Sequence, residues 1–248
     1  MDKLGITTGA QSLRRALTLL RLLGQNQDQG VTLTQVIELS GMERSTVHRL
    51  LSCLLEEGFV ERESKTKLYR LGIESVQLGT AGMRRMPLLD RYQAVLQKLA
   101  RVSGDTVFLV IQQGDFCLCL HRQEGHFPVR VFTTDVGERR LLGIGAGGLA
   151  LMACLPDEEI ALVMQRHAQD YVKAGFSRAR MMKAVQDTRA AGYACIKDTI
   201  TEGVSGVGCA FNVSPSQLAA ISFGAISTRL PDARQQELGQ LLRAELSV

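Results

Sequence analysis

Gly41-Met42-Glu43-Arg44-Ser45-Thr46-Val47-His48-Arg49-Leu50-Leu51-Ser52-Cys53-Leu54-Leu55-Glu56-Glu57-Gly58-Phe59-Val60 decides how the N-terminal part of the chain folds. A tight Ser40-Gly41-Met42 turn precedes it, and Gly58 ends a helix that starts near Glu43. At about 100° per residue, Val47, Leu50, Leu51 and Leu54 share one arc. Arg44, Ser45, His48, Arg49 and Ser52 share the opposite arc. The apolar arc calls for a packing partner. The polar arc, with Thr46 at its edge, holds the residue types that meet phosphates and base edges, and no aspartate.

Working outward, Phe59–Arg62 and Lys67–Leu71 are short β-prone runs around the polar tip Glu63-Ser64-Lys65-Thr66, which predicts a hairpin. Its Arg62, Lys65, Lys67 and Arg70 are placed to reach flanking phosphates or the minor groove. Upstream, Ser12 is expected to cap a first helix with the stripe Leu13, Ala16, Leu17, Leu20 and Leu23. Thr34 is expected to open a second helix carrying Val36, Ile37 and Leu39, with its hydroxyl available to DNA. Helix, helix, turn, helix, hairpin is the order of a winged helix-turn-helix. Residues 1–72 carry ten Lys or Arg against eight Asp or Glu, so any basic surface there is local.

Ile73 to Met86 reads as a linker helix stopped by Pro87. Beyond it the pattern changes. Leu88–Val102 is amphipathic. Thr106–Gln112 and Phe116–Arg122 flank Gln113-Gly114-Asp115 as a hairpin, and Val129–Phe132 is expected as a further strand. Helices follow around Gly147–Cys154, Pro156–His167 and Ser177–Ala191. Strands near Gly206–Val213 and Leu218–Ile226 come next, then a helix over Asp232–Leu246. Hairpins separated by helices imply an α+β domain with a mostly antiparallel sheet. The expected division is 1–72, a linker at 73–87, and 88–248.

The 248 residues carry a net charge of +4, mildly basic and undiagnostic. With no apolar run of membrane length and no apolar leader, the protein is expected in the cytoplasm. The six cysteines lack paired metal-ligand spacing, which predicts free thiols in a reducing compartment. Cys117 and Cys119 share a strand face but have no histidine partners, and no metal or cofactor is implied. His121 and His126 read as a surface pair. No histidine sits in a nucleophile motif, so catalysis is not expected.

Several motifs together resemble the IclR family of transcriptional regulators. They are Ser12–Leu17, Leu33-Thr34, Arg44–Leu51, Glu56–Val60 and Tyr69–Gly72, then Val136–Arg139, Gly145–Leu151, Ala191–Tyr193 and Glu202–Val204. The resemblance implies a winged helix joined through a helical linker to a profilin- or GAF-like effector domain. It implies dimers, or dimers of dimers, acting on double-stranded operator DNA, with small organic acids or aromatic compounds as effectors. It places Arg44, Ser45, Thr46, His48, Arg49, Thr34, Lys65, Lys67 and Arg70 at DNA. It places Ile144, Gly145, Ala146, Ile196, Val204, Gly206, Ser222 and Gly224 around the effector. Ile196, Gly206 and Gly224 stand where some members carry an acid, a thiol and a hydroxyl, so a larger or more apolar ligand than the smallest keto acids is expected.

Gly143, Gly145 and Gly148 match GxGxxG, but the polar segment Thr133–Arg140 before them is no buried parallel strand, so a dinucleotide site is rejected. A glycine-rich entry to a helix whose free amides face an anion is the better reading. The competing functional class is a metabolite-binding module that acts through protein partners without reading DNA.

Overall fold

A computed structural model describes residues 10–83 and 87–247, and the chain divides into two compact units, Met1–Met86 and Pro87–Val248. The first unit has helices α1 (Gln11–Gln25), α2 (Leu33–Ser40) and α3 (Arg44–Glu56). The hairpin β1 (Val60–Arg62) and β2 (Tyr69–Leu71) and helix α4 (Ile73–Met83) follow. Val47, Leu50, Leu51 and Leu54 of α3 are buried as their spacing requires, against Leu19, Leu22 and Leu23 of α1 and Val36 of α2. Val31 adds a bridge to Tyr69 at the edge of the wing.

Three local expectations fail in this unit, the third only in part. The N-cap of α1 is Ala10, without a side-chain bond, and not Ser12. The cap of α2 is Thr32 and not Thr34. Thr32 and Gln35 form a reciprocal capping box that ties down two amides at the helix start, and Thr34 is left exposed inside the first turn. Thr32→Ala is therefore expected to cost α2 about 0.5–2 kcal/mol. Hydrogen exchange would read this as faster exchange in α2 alone, and unchanged α2 protection would show that the cap contributes nothing. The α1 stripe holds in part: Leu23 is buried and Ala16 and Leu20 pack on the core, but Leu13 is 61 % and Leu17 40 % exposed, while Leu19 and Leu22 are buried.

The second unit opens with α5 (Pro87–Ser103), so Pro87 starts a helix, the position proline suits best. One antiparallel sheet follows, with strands β3 (Thr106–Gln113), β4 (Phe116–Gln123), β5 (Arg139–Leu141), β6 (Ala194–Lys197), β7 (Val204–Ser214) and β8 (Gln217–Ile226), ordered β5-β4-β3-β8-β7-β6. No strand covers Val129–Phe132. The β4 partner on that side is Arg139–Leu141, which places Arg140 opposite Cys117. Strand β6 and helix α8 (Ala168–Lys173) were not foreseen. Helices α6 (Ala146–Ala153), α7 (Asp157–Arg166) and α9 (Arg178–Ala191) share a core with Phe108, Val110, Cys117, Cys119 and Ala220 on one sheet face. On the other face, α5 and α10 (Asp232–Leu246) pack on β3 and β7, with Tyr92 tilted against Phe211 at 4.6 Å. Among the described residues no helix is long and apolar enough to cross a membrane.

Candidate DNA-reading face and ligand cavity

In the first unit, α3 exposes Arg44, Ser45, His48 and Arg49 on the side away from its buried leucines, and half-exposes Thr46. Lys65 and Lys67 are exposed in the hairpin tip, where Lys67 adopts a left-handed φ of 61°. Arg70 differs from this set. Its guanidinium donates to the carbonyls of Gln27 and Asp28 and to Glu63 at 3.1–3.3 Å, clamping the α1–α2 connection to the wing. Sequence gave no hint of this, because those partners lie up to 43 positions away.

In the second unit, all eight residues proposed for the effector line one cleft, whose enclosed free space is about 50 Å³. Its floor crosses every strand: Arg140 on β5, Cys117 and Cys119 on β4, Phe108 and Val110 on β3, Ser222 and Gly224 on β8, Gly206 on β7 and Ile196 on β6. The first turn of α6 forms its roof. This helix is buried along its full length, and the small residues at its start allow that. A Cβ on Gly147 would stand 2.9 Å from Val110 Cγ2 and 3.3 Å from Ser222 Oγ. A Cβ on Gly208 would meet the Ala146 carbonyl at 2.7 Å.

The entry loop to α6 is internally fixed. The Gly143 amide donates to the Gly148 carbonyl at 2.9 Å, and the Tyr171 hydroxyl donates to the Leu142 carbonyl at 2.7 Å. Gly145 is the N-cap at φ 84°, so no side-chain oxygen caps the helix. The amides of Ala146, Gly147 and Gly148 have no partner within the helix and carry its positive dipole end. Beside them, Ser222 is buried and its hydroxyl is within reach of a ligand.

Sequence missed Phe108, Cys117, Cys119, Thr133, Thr134, Arg140 and Ile200 of the lining. The alternation at Cys117 and Cys119 was a usable signal for a shared face. The two threonines and Arg140 gave none, since they come from the β4–β5 connection and the edge strand. Burial pushes the Cys117 thiol up to about 11, opposed most by the Arg140 charge, and the Cys119 thiol up to about 12. Both stay protonated near neutral pH and act as apolar wall. Among the described residues, no group of three or more His, Cys, Asp or Glu is placed to hold a metal. The expected surface histidine pair is half right: His126 is exposed, but His121 is half-buried with Nε2 enclosed and unpartnered.

The β4–β5 connection is tied over the cleft edge. A register shift between Leu109 and Val110 puts Arg122 opposite Phe108, on the cleft side of β4. Arg122 there pairs with Asp135 at 2.6 Å and covers the Phe132 ring at 4.2 Å.

The family model for the helix-turn-helix domain of IclR matches residues 12–64, and that for the C-terminal domain of the bacterial transcriptional regulator IclR matches residues 80–246. The regulator Rv1719 of Mycobacterium tuberculosis is 31 % identical over 235 residues, covering 94 % of this chain and 89 % of its own. The regulator BhcR of Paracoccus denitrificans is 29 % identical, covering 91 % and 81 %. Among solved structures, an IclR family transcriptional regulator from Brucella abortus matches the fold with a TM-score of 0.82. It is 18 % identical and covers 97 % of this chain and 91 % of its own.

Proposed function

Because the chain belongs to the IclR family of bacterial transcriptional regulators, we propose that it reads a partly palindromic operator with the exposed arc of α3 and answers to an organic-acid or aromatic effector held under α6. Its relatives include an HTH-type transcriptional regulator and a transcriptional repressor. The observation that carries the DNA reading is the division of α3 into a buried arc of Val47, Leu50, Leu51 and Leu54 and an exposed arc with Arg44, Ser45, His48 and Arg49. A helix so divided, following a tight turn, seats its N-terminal residues nearest the bases of a major groove. Thr34 on α2, Thr46 on α3, and Lys65 and Lys67 on the wing supply flanking contacts, and Arg70 holds the wing.

Residues 1–72 act as the DNA-binding domain, α4 as the linker, and 88–248 as the effector domain. A homo-oligomer is supported by apolar side chains left in solvent on α1 (Leu13, Leu17) and α4 (Ile73, Val76, Leu78). Two copies would set two half-sites about one helical turn, or a multiple of it, apart. Regulation requires the effector to favour one dimer geometry over another.

The test is selection of genomic fragments by the purified chain at near-physiological salt. Enrichment of one partly palindromic site class, its occupancy altered by an added organic acid, is the expected result. Equal, salt-sensitive retention of all fragments would reject specific reading.

A further inference from the structure

We propose that Arg140 sets the specificity of the cavity and that the ligand is an elongated acid with an anionic group at each end. This rests on the cavity being the effector site. Arg140 is the one charged side chain among the described residues of the lining. It stands on edge strand β5, three strands from Ser222 on β8, which is roughly 14 Å along the sheet at the backbone. Cys117, Cys119, Val110 and Phe108 make the floor between the two ends apolar. One end therefore offers the α6 amides and the Ser222 hydroxyl, and the other a guanidinium. A monoacid occupies one of these and lays its apolar end on the other. A diacid occupies both.

The guanidinium is already positioned for this role. Its Nη2 donates to the Thr133 carbonyl at 2.5 Å and to Glu138 Oε1 at 2.7 Å. The Arg140 side chain is only 17 % exposed, whereas that of Glu138 is 42 % exposed. Glu138 is outside the cleft lining, and its Oε2 also accepts from the Asp135 amide at 3.0 Å, so it holds Arg140 from the side of the β4–β5 connection. A ligand carboxylate competes with Glu138 for this guanidinium, while the Thr133 carbonyl keeps the arginine aimed. A planar fork of five donors accommodates such an exchange and a lysine does not reproduce it.

The experiment is calorimetry on the full chain with linear α,ω-dicarboxylates from butanedioate to octanedioate, each beside the monoacid of equal length. One dicarboxylate is expected to bind about tenfold or more tighter than its monoacid, the effect of one charge-assisted pair. Arg140→Leu should erase that preference, Arg140→Lys should retain part of it, and Glu138→Gln should increase it. Thermal melts confirm that the variants fold. A monoacid binding as tightly as its diacid, or a preference that survives Arg140→Leu, overturns the proposal and leaves the effector site standing. Failure of every acid to bind wild type overturns both.

Discussion

Gly208→Ala is expected to destabilise the second unit and to abolish ligand binding together. In an ordinary strand this change is favourable, since glycine loses more conformational freedom on folding than alanine, by roughly 0.5–1 kcal/mol. The sign reverses here. The added methyl would lie 2.7 Å from both the carbonyl carbon and oxygen of Ala146 and 3.0 Å from the Gly147 amide. All three are backbone atoms of the first turn of α6, so no rotamer change relieves the clash. The helix must lift from the sheet, and overpacking of this kind costs about 1–3 kcal/mol. The lifted turn carries the amides that roof the cavity, so binding is lost with stability.

Gly145→Trp separates the two effects. Gly145 lies at the cavity, where its Cβ would meet Ile200 at 3.1 Å, so the indole fills the ligand space. Its φ of 84° adds strain at one residue, but the core behind α6 stays intact. Calorimetry should show no ligand heat for either variant, with the larger fall in melting temperature for Gly208→Ala. A Gly208→Ala protein that melts and binds like wild type would show that α6 does not seat against β7 as described.

Arg49→Ala is expected to remove operator discrimination while leaving the fold untouched. Arg49 is exposed and outside the α1–α3 core, and surface changes of this kind are worth within about 0.5 kcal/mol. If its guanidinium reads a base edge, each half-site loses about 1–3 kcal/mol of discrimination, which is about 5–150-fold in affinity. A dimer suffers this twice. Lys67→Ala is the comparison. If this wing-tip side chain meets phosphate, the change should weaken operator and random DNA alike and lower the salt slope by about 1. Footprinting and salt titration of both variants decide the matter. If Arg49→Ala weakens operator and random duplex by the same factor, Arg49 is a phosphate contact. If it weakens neither, α3 does not enter the groove.

Several elements were legible because their determinants are local. The stripe Val47, Leu50, Leu51, Leu54 has one apolar face, so only one burial is available to it. The Gln113-Gly114-Asp115 hairpin has its turn between two apolar runs, and β3 and β4 pair across it. Helix α1 was less legible because leucines occur on more than one of its faces. The docking of α2 and α3 chose Leu19, Leu22 and Leu23 and left Leu13 and Leu17 outside. Thr34 lost its cap role to Thr32 by two residues, since a helix boundary is set by which hydroxyl reaches an amide. The apolar run at Val129–Phe132 has strand propensity but no strand beside it, whereas the charged Arg139–Leu141 lies against an open edge of β4.

Local patterning was enough for the winged helix-turn-helix order and the antiparallel α+β class of the second unit, and family resemblance for eight residues that line the cavity. Tertiary structure alone decided that Arg70 is a clamp and that Arg140 faces the cavity. Periodicity reports which face of an element is apolar. A residue's partner depends on strand order and register, and the order β5-β4-β3-β8-β7-β6 joins segments with nothing local to announce one another.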